Sequence, residues 1–247
     1  MANSRSGDKL LDRMVRILES FTAEEPRLTV AEIAARAQLP AATAYRLVDD
    51  LAGQGFVVRE GGAVRLGMRL WELANRASAT RDLRQLALPY LEDLNQLLRQ
   101  HTQLSVLHED EVLILERLSR PGAAVNQAHV AGRLPVHQTS MGMVLLAFAP
   151  AHVQSGYLSR HERAVADLHG DFRRTLAEIR HRGWATFDGF LDDTTTGAAA
   201  PVLDRAGHAV AALGVVIPRG SDALPAVSMA LMTAARGVSR DLQARGD

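Results

Sequence analysis

Apolar residues recur at helical spacing along the first fifty positions, with two interruptions. Over residues 8–22, Leu11, Met14, Val15 and Leu18 follow the i, i+3, i+4, i+7 template. Leu10, Ile17 and Phe21 extend that surface onto a second face, which suits a partner helix and burial within the domain equally. "EEPRL" breaks the pattern. Thr29, followed three residues later by Glu32, is then the capping-box start of a short helix carrying Val30, Ile33, Ala34 and Ala37. Pro40 suits the first turn of a third helix, with Ala44, Leu47, Val48 and Leu51 as its buried stripe and Gly53 as its stop. "FVVRE" and "AVRLG" flank Gly61-Gly62, the pattern of two short strands joined by a tight turn. Three helices, the second and third closely linked, followed by a small hairpin predict a winged helix-turn-helix.

Leu66 to Ala79 reads as a mixed connector helix, with Arg69, Glu72 and Arg76 spaced for pairing along it. Leu83, Leu86, Ala87, Tyr90, Leu91, Leu94, Leu97 and Leu98 mark a long helix, which Pro89 should kink or restart. "QLSVLHED" and "EVLILERL" predict a hairpin with an Asp110-centred turn, and "AAVNQAHVAG" a third strand. "TSMGMVLLAFAP" reads as an apolar helix, "DFRRTLAEIRHRG" as an amphipathic one ending at Gly183, and "WATF" as a short strand. "AAAPVLD" and "HAVAALGVVIP" form an antiparallel pair around "RAG", and a last helix covers about residues 224–244. Strands at both ends with helices between them predict an α+β domain on an antiparallel sheet.

Charge does not announce a partner. The chain of 247 residues has 28 Lys+Arg and 28 Asp+Glu, and the first 80 residues carry 11 and 10 of these. Contact with phosphates must therefore come from local placement. With no cysteine, disulfides, thiolate metal sites and cysteine catalysis are excluded. The N-terminus lacks the apolar core of a signal peptide, and "MGMVLLAFA" is too short to span a bilayer, so a soluble cytoplasmic protein is expected. His152, His161, His169 and His181 show no metal-ligand spacing and read as exposed or loop residues. His137, before the apolar helix, suits a pocket wall or a structural hydrogen bond. "LDDTTTG" reads as a polar turn, and no phosphate loop, dinucleotide fingerprint or nucleophile elbow occurs. Neither a catalytic group, a cofactor nor a metal is expected. On the third helix, "LPAATAYRLVDDL" exposes little polar chemistry: Thr43, Tyr45 and Arg46. Arg46, with Arg59 and Arg65 on opposite hairpin strands, occupies positions from which a winged helix reaches a groove and its phosphates. Arg5 and Lys9 would add an N-terminal arm. Asp49 and Asp50 should point away from DNA.

"RMVRILESF", "LTVAEIAARAQLPAATAYRLVDDLAGQGFVVRE", "VRLGMRLWELA", "LRQLALPYLEDL", "EVLILERLSRPG", "GRLPVHQTSMGMVLLAFAP", "RHRGWATFDGF" and "AAAPVLDRAGHAVAALGVVIP" resemble, in order, segments of IclR-family bacterial transcriptional regulators. The resemblance spans essentially the whole chain. It implies a winged helix-turn-helix over residues 1–66, a linker helix over 67–80, and a GAF-like effector-binding, oligomerising domain over 81–247. It further implies double-stranded DNA with palindromic promoter sites as partner, homodimers or dimers of dimers, and no membrane. Ala42, Thr43, Tyr45, Arg46, Arg59 and Arg65 would contact DNA. Many relatives carry a basic or hydroxyl residue where this chain has Ala41 and Ala42, so thymine methyl contact and DNA shape gain weight. His137, Ser140, Met141, Phe187, Gly197, Gly214 and Val216 would meet the effector. Relatives that bind small carboxylates often place Asp, Cys or Ser at the last four positions, which are apolar or bare here. The expected effector is therefore aromatic or apolar, with the glycines leaving room and Phe187 stacking. An enzyme with a DNA-binding appendage is the alternative on chemistry, and a ligand-independent architectural protein the alternative on regulation.

Overall fold

The first three helices, α1 (Leu10–Glu19), α2 (Val30–Arg36) and α3 (Ala41–Gly53), form where the apolar spacing places them. Thr29 Oγ1 accepts the Glu32 N–H while a Glu32 carboxylate oxygen accepts the Thr29 N–H, closing the capping box. Ile17, Ile33, Leu47, Val48 and Val64 meet in one buried cluster. Strands β1 (Val57–Glu60) and β2 (Ala63–Leu66) pair antiparallel around Gly61 and Gly62, both at positive φ, the tight hairpin turn that L side chains resist. Leu28, in the segment that interrupts the helical pattern, exchanges backbone hydrogen bonds with Val64 and adds a third edge to the wing. Helix α4 (Met68–Arg76) follows, shorter than the expected connector.

The computed structural model describes residues 9–22, 24–76, 79–124, 128–189 and 192–245. Arg5, part of the expected N-terminal arm, lies outside them. The chain divides into two units, Met1–Ser78 and Ala79–Asp247. No helix among the described residues is long and apolar enough to cross a membrane.

The second unit is an antiparallel six-stranded sheet with helices on both faces. Its strands are β3 (Thr102–His108), β4 (Glu111–Leu118), β5 (Arg133–Pro135), β6 (Ala185–Asp188), β7 (Thr195–Leu203) and β8 (Ala209–Pro218), in the order β5-β4-β3-β8-β7-β6. Helices α5 (Ala79–Leu98) and α9 (Leu224–Arg245) cover one face, where Leu91, Leu231 and Val238 pack on Leu104, Ala200, Val202 and Leu213. The other face carries α6 (Ser140–Ala147), α7 (Ala151–Leu168) and α8 (Phe172–Arg182), packed on Val112, Ile114, Ala199 and Ala212. Burial on both faces explains why β7 and β8 read as continuous runs of small apolar residues. All eight residues of α6 are buried, which is why its sequence has no polar face.

Three local expectations change. Helix α5 runs unbroken through Pro89, so the ring is accommodated at the expense of the hydrogen bond that the Gln85 carbonyl would accept. The strand expected in "AAVNQAHVAG" forms instead at Arg133–Pro135; residues 125–127 of that segment lie outside the described ones. Helix α7 was not expected at all. It buries only Tyr157 and Val165 and departs from helical geometry at His161, so it has no continuous apolar stripe to read.

Candidate functional site

The first candidate surface is the exposed N-terminal half of α3 and the adjoining wing. Ala41, Ala42, Tyr45 and Arg46 are exposed and Thr43 is half-buried, while Ala44, Leu47 and Val48 fix the helix to its core. Gln38, in the left-handed region at φ 55°, turns the chain between α2 and α3. Arg46 makes no ion pair among the described residues. The wing arginines are engaged within the domain. Arg59 Nη2 lies 2.8 Å from Asp49 Oδ1, and its guanidinium carbon 5.8 Å from the Tyr45 ring centre. Arg65 Nη2 lies 2.6 Å from Glu60 Oε1, which holds that carboxyl below its usual range. Asp49, four residues from Tyr45, shares that residue's helix face.

The second candidate is a small cavity at the N-terminal end of α6. It brings together Ser140, Met141, Phe187, Gly197, Gly214 and Val216, with Gln103, Gln138, Thr139 and Thr195. The sheet register explains why. Phe187 pairs with Gly197, and Gly197 with Val216, placing the three in one row across β6, β7 and β8. Gln103 pairs with Gly214 in the next row on that face. Among the described residues the lining contains no charged side chain.

The glycines act differently from the expectation that they leave open space. A Cβ on Gly214 would sit 2.7 Å from Met141 Sδ, and one on Gly197 would sit 2.9 Å from Ser140 Oγ. Their missing side chains let α6 seat its first two side chains against the sheet. Gly142 shows the same closeness more severely, because a Cβ there would lie 2.3 Å from the Val136 carbonyl oxygen. At the helix start, Thr139 Oγ1 accepts the Gly142 N–H at 3.1 Å. The Ser140 and Met141 amides remain as first-turn donors, in an electropositive setting.

Gln103 is a cavity residue that sequence reading missed, as it missed Gln138, Thr139 and Thr195. Gln103 is 2% exposed, and its Nε2 has no hydrogen-bond partner among the described residues. Leaving such a donor unpaired costs about 1–3 kcal/mol, and an exception of this kind calls for an explanation. The available signal was a glutamine heading the strand segment "QLSVL".

His137 stands outside the cavity lining. Its Nδ1 is 2.6 Å from Tyr157 Oη, and its carbonyl oxygen is 2.7 Å from His169 Nε2. Burial holds the His137 imidazole below its ordinary value, reinforced by His161 and His169, and pushes the Tyr157 phenol up to about 12. The structure thus gathers three histidines that sequence spacing leaves apart, and His161 and His169 are half-buried rather than exposed. His161 stacks on Tyr157 and lies 3.0 Å from Asp110 Oδ2. Asp110 also accepts two hydrogen bonds from Arg160, at 2.6 and 2.7 Å, tying the β3–β4 turn to α7. No group of residues able to hold a metal occurs among the described residues.

Arg160, ahead of burial as an opposing cause, lowers the Asp110 carboxyl to about 2. Because the folded value lies below the unfolded one, this tie stabilises the fold at neutral pH and is lost as pH falls from about 4 through about 2. Asp110→Asn is expected to cost about 1–2 kcal/mol at neutral pH, allowing for solvent screening, and to narrow the gap from wild type below about pH 3. Chemical denaturation at stepped pH reads both values.

Family models match most of the chain: the IclR helix-turn-helix domain over residues 10–61, and the bacterial transcriptional regulator IclR C-terminal domain over residues 76–240. The glycerol operon regulatory protein of Streptomyces griseus is 33% identical over 249 residues, covering 95% of this chain and 96% of its own. The Pca regulon regulatory protein of Pseudomonas putida is 27% identical over 243 residues, covering 94% and 82%. Among solved structures, an IclR homolog from Microbacterium hydrocarbonoxydans, complexed with 4-hydroxybenzoate, is 41% identical with a TM-score of 0.86, covering 96% of this chain and 100% of its own. The chain belongs to the IclR family of transcriptional regulators, with a helix-turn-helix DNA-binding domain and a separate C-terminal domain.

Proposed function

We propose that this protein controls a catabolic operon in response to a small aromatic acid held in the cavity at the start of α6. The observation that carries this reading is Gln103: a buried N–H without a partner among the described residues, facing a cavity with no charged side chain in its described lining. It demands an acceptor oxygen, and the first-turn amides of α6 favour an anionic one. The row of Phe187, Gly197 and Val216 offers apolar edges to a flat ring. The aromatic acid in the Microbacterium homolog fits the same chemistry. His137 serves as a positioning residue, fixing the segment before α6 through Tyr157 and His169.

On DNA, the N-terminal half of α3 faces the major groove and the wing flanks it. The exposed Leu10, Leu11 and Val15 on α1, with Trp71 on α4, support assembly as a homodimer or dimer of dimers on a palindromic operator in the cytoplasm. Ligand binding changes operator affinity only as far as the ligand prefers one arrangement of the reading heads.

Titration calorimetry with 4-hydroxybenzoate, benzoate, glycerol, pyruvate and glyoxylate tests the effector class. Binding confined to the aromatic acids is expected; binding by pyruvate or glyoxylate alone would reject it. Arg46→Ala is expected to weaken binding to a duplex selected by the protein from a random pool by about 1–3 kcal/mol. Random duplex should respond less, as read by fluorescence anisotropy. Arg65→Gln, which breaks the pair with Glu60, should weaken the selected duplex and flatten its salt dependence.

A further inference from the structure

From the Asp49–Arg59 contact we infer that Asp49 is a selectivity residue, acting as an internal substitute for DNA phosphate. This rests on the reading of α3 and the wing as the DNA-facing surface. Asp49 and Tyr45 lie one helical turn apart on α3, and Arg59 reaches both from β1 across the domain. The guanidinium and carboxylate form an ion pair with Nη2 and Oδ1 2.8 Å apart, and the Tyr45 ring lies under the same group at 5.8 Å, within the range of a cation–π contact. Asp49 is 65% exposed and Arg59 38%, so the pair lies in water, where ion pairs are weak and exchange readily.

A guanidinium held by a carboxylate carries no net charge to a passing duplex. Random DNA attracts proteins through phosphate charge alone, so a closed Asp49–Arg59 pair removes one contact from that mode. On the operator, base contacts from the start of α3 fix the protein's register. A phosphate then displaces Asp49 from Arg59, and the displaced carboxylate returns to water. The pair therefore discounts random DNA by one phosphate contact while the operator complex keeps it. The opposing charge also explains how a lean recognition helix discriminates: the site suppresses unproductive binding as well as rewarding the correct sequence. Asp50, the neighbouring exposed carboxylate, makes no ion pair among the described residues and provides the matched control for loss of charge.

The experiment measures salt-dependent anisotropy of the full chain on two duplexes: one of random sequence, and one selected by the wild-type protein from a random pool. Asp49→Asn should tighten random-duplex binding several-fold at low salt and steepen its log–log salt slope by about 0.9, the value for one added phosphate contact. On the selected duplex the slope should not change. Neither effect should appear with Asp50→Asn, or when Asp49→Asn is added to Arg59→Gln. If the tightening persists in the Arg59→Gln background, or equals that of Asp50→Asn, Asp49 acts only through its charge and the inference is overturned. If Arg59→Gln weakens binding but Asp49→Asn changes nothing, the wing reading stands and the Asp49 role falls. Loss of all effect from Arg59→Gln, on either duplex, would remove the wing reading itself. These are exposed positions, and unchanged thermal unfolding of each variant confirms that the comparison concerns binding.

Discussion

Gln103→Leu should make the ligand-free protein more stable and the effector weaker, two opposite changes from one substitution. The wild-type side chain holds a buried N–H with no acceptor among the described residues, and Leu removes that penalty at similar volume. A gain of about 1 kcal/mol is expected in the C-terminal domain, read as a higher unfolding midpoint without ligand. The same substitution removes the donor that the acid's oxygen would meet, leaving that oxygen buried and unpaired. A loss of about 10- to 100-fold in effector affinity follows, read by calorimetry. A merely structural role for Gln103 would give the reverse pattern, with stability falling and affinity following it. Glutamate at this position would place like charge beside the acid and should abolish binding altogether.

Gly142→Ala is expected to have the largest effect on stability. A Cβ there would lie 2.3 Å from the Val136 carbonyl oxygen and 2.5 Å from its Cα, both backbone atoms with no rotamer to escape into. Either α6 or the turn Val136–Gln138 must move, and the two carry opposite sides of one arrangement. On the α6 side are the Thr139 cap and the Ser140 and Met141 amides; on the other is His137, bonded to Tyr157 and His169. Overpacking of this kind costs about 1–3 kcal/mol, and this site belongs at the upper end. Differential scanning calorimetry should show the midpoint fall, with effector binding lost in the population that remains folded. By contrast, Gly214→Ala meets the flexible Met141 side chain, so it should alter effector affinity more than stability.

The N-terminal domain was legible because its signals are local. Thr29 and Glu32 cap each other across three residues, Gly61 and Gly62 make their own turn, and Leu47, Val48 and Leu51 mark one helix face. The sheet of the second domain was legible for the same reason, since its hairpins pair neighbours in sequence. Helix α7 was not, because a helix that buries Tyr157 and Val165 amid charged residues has no apolar period. The cavity was reached through family resemblance, which named six of its lining residues, four of them aligned by the register of β6, β7 and β8 and two carried by α6. What resemblance did not supply is tertiary in origin. Gln103 is buried because β4 and β8 flank β3, and Arg59 meets Asp49 because the wing folds back on α3. The His137–Tyr157 hydrogen bond is tertiary in the same way, because Tyr157 lies on α7, a helix whose place the sequence hid.

The most direct test is a crystal structure of the wild-type protein with 4-hydroxybenzoate. The account predicts the ring in the α6 cavity beside Phe187 and Val216, with one of its oxygens within about 3.2 Å of Gln103 Nε2. A ligand bound elsewhere, or one in this cavity that leaves Gln103 Nε2 without an acceptor, would contradict it.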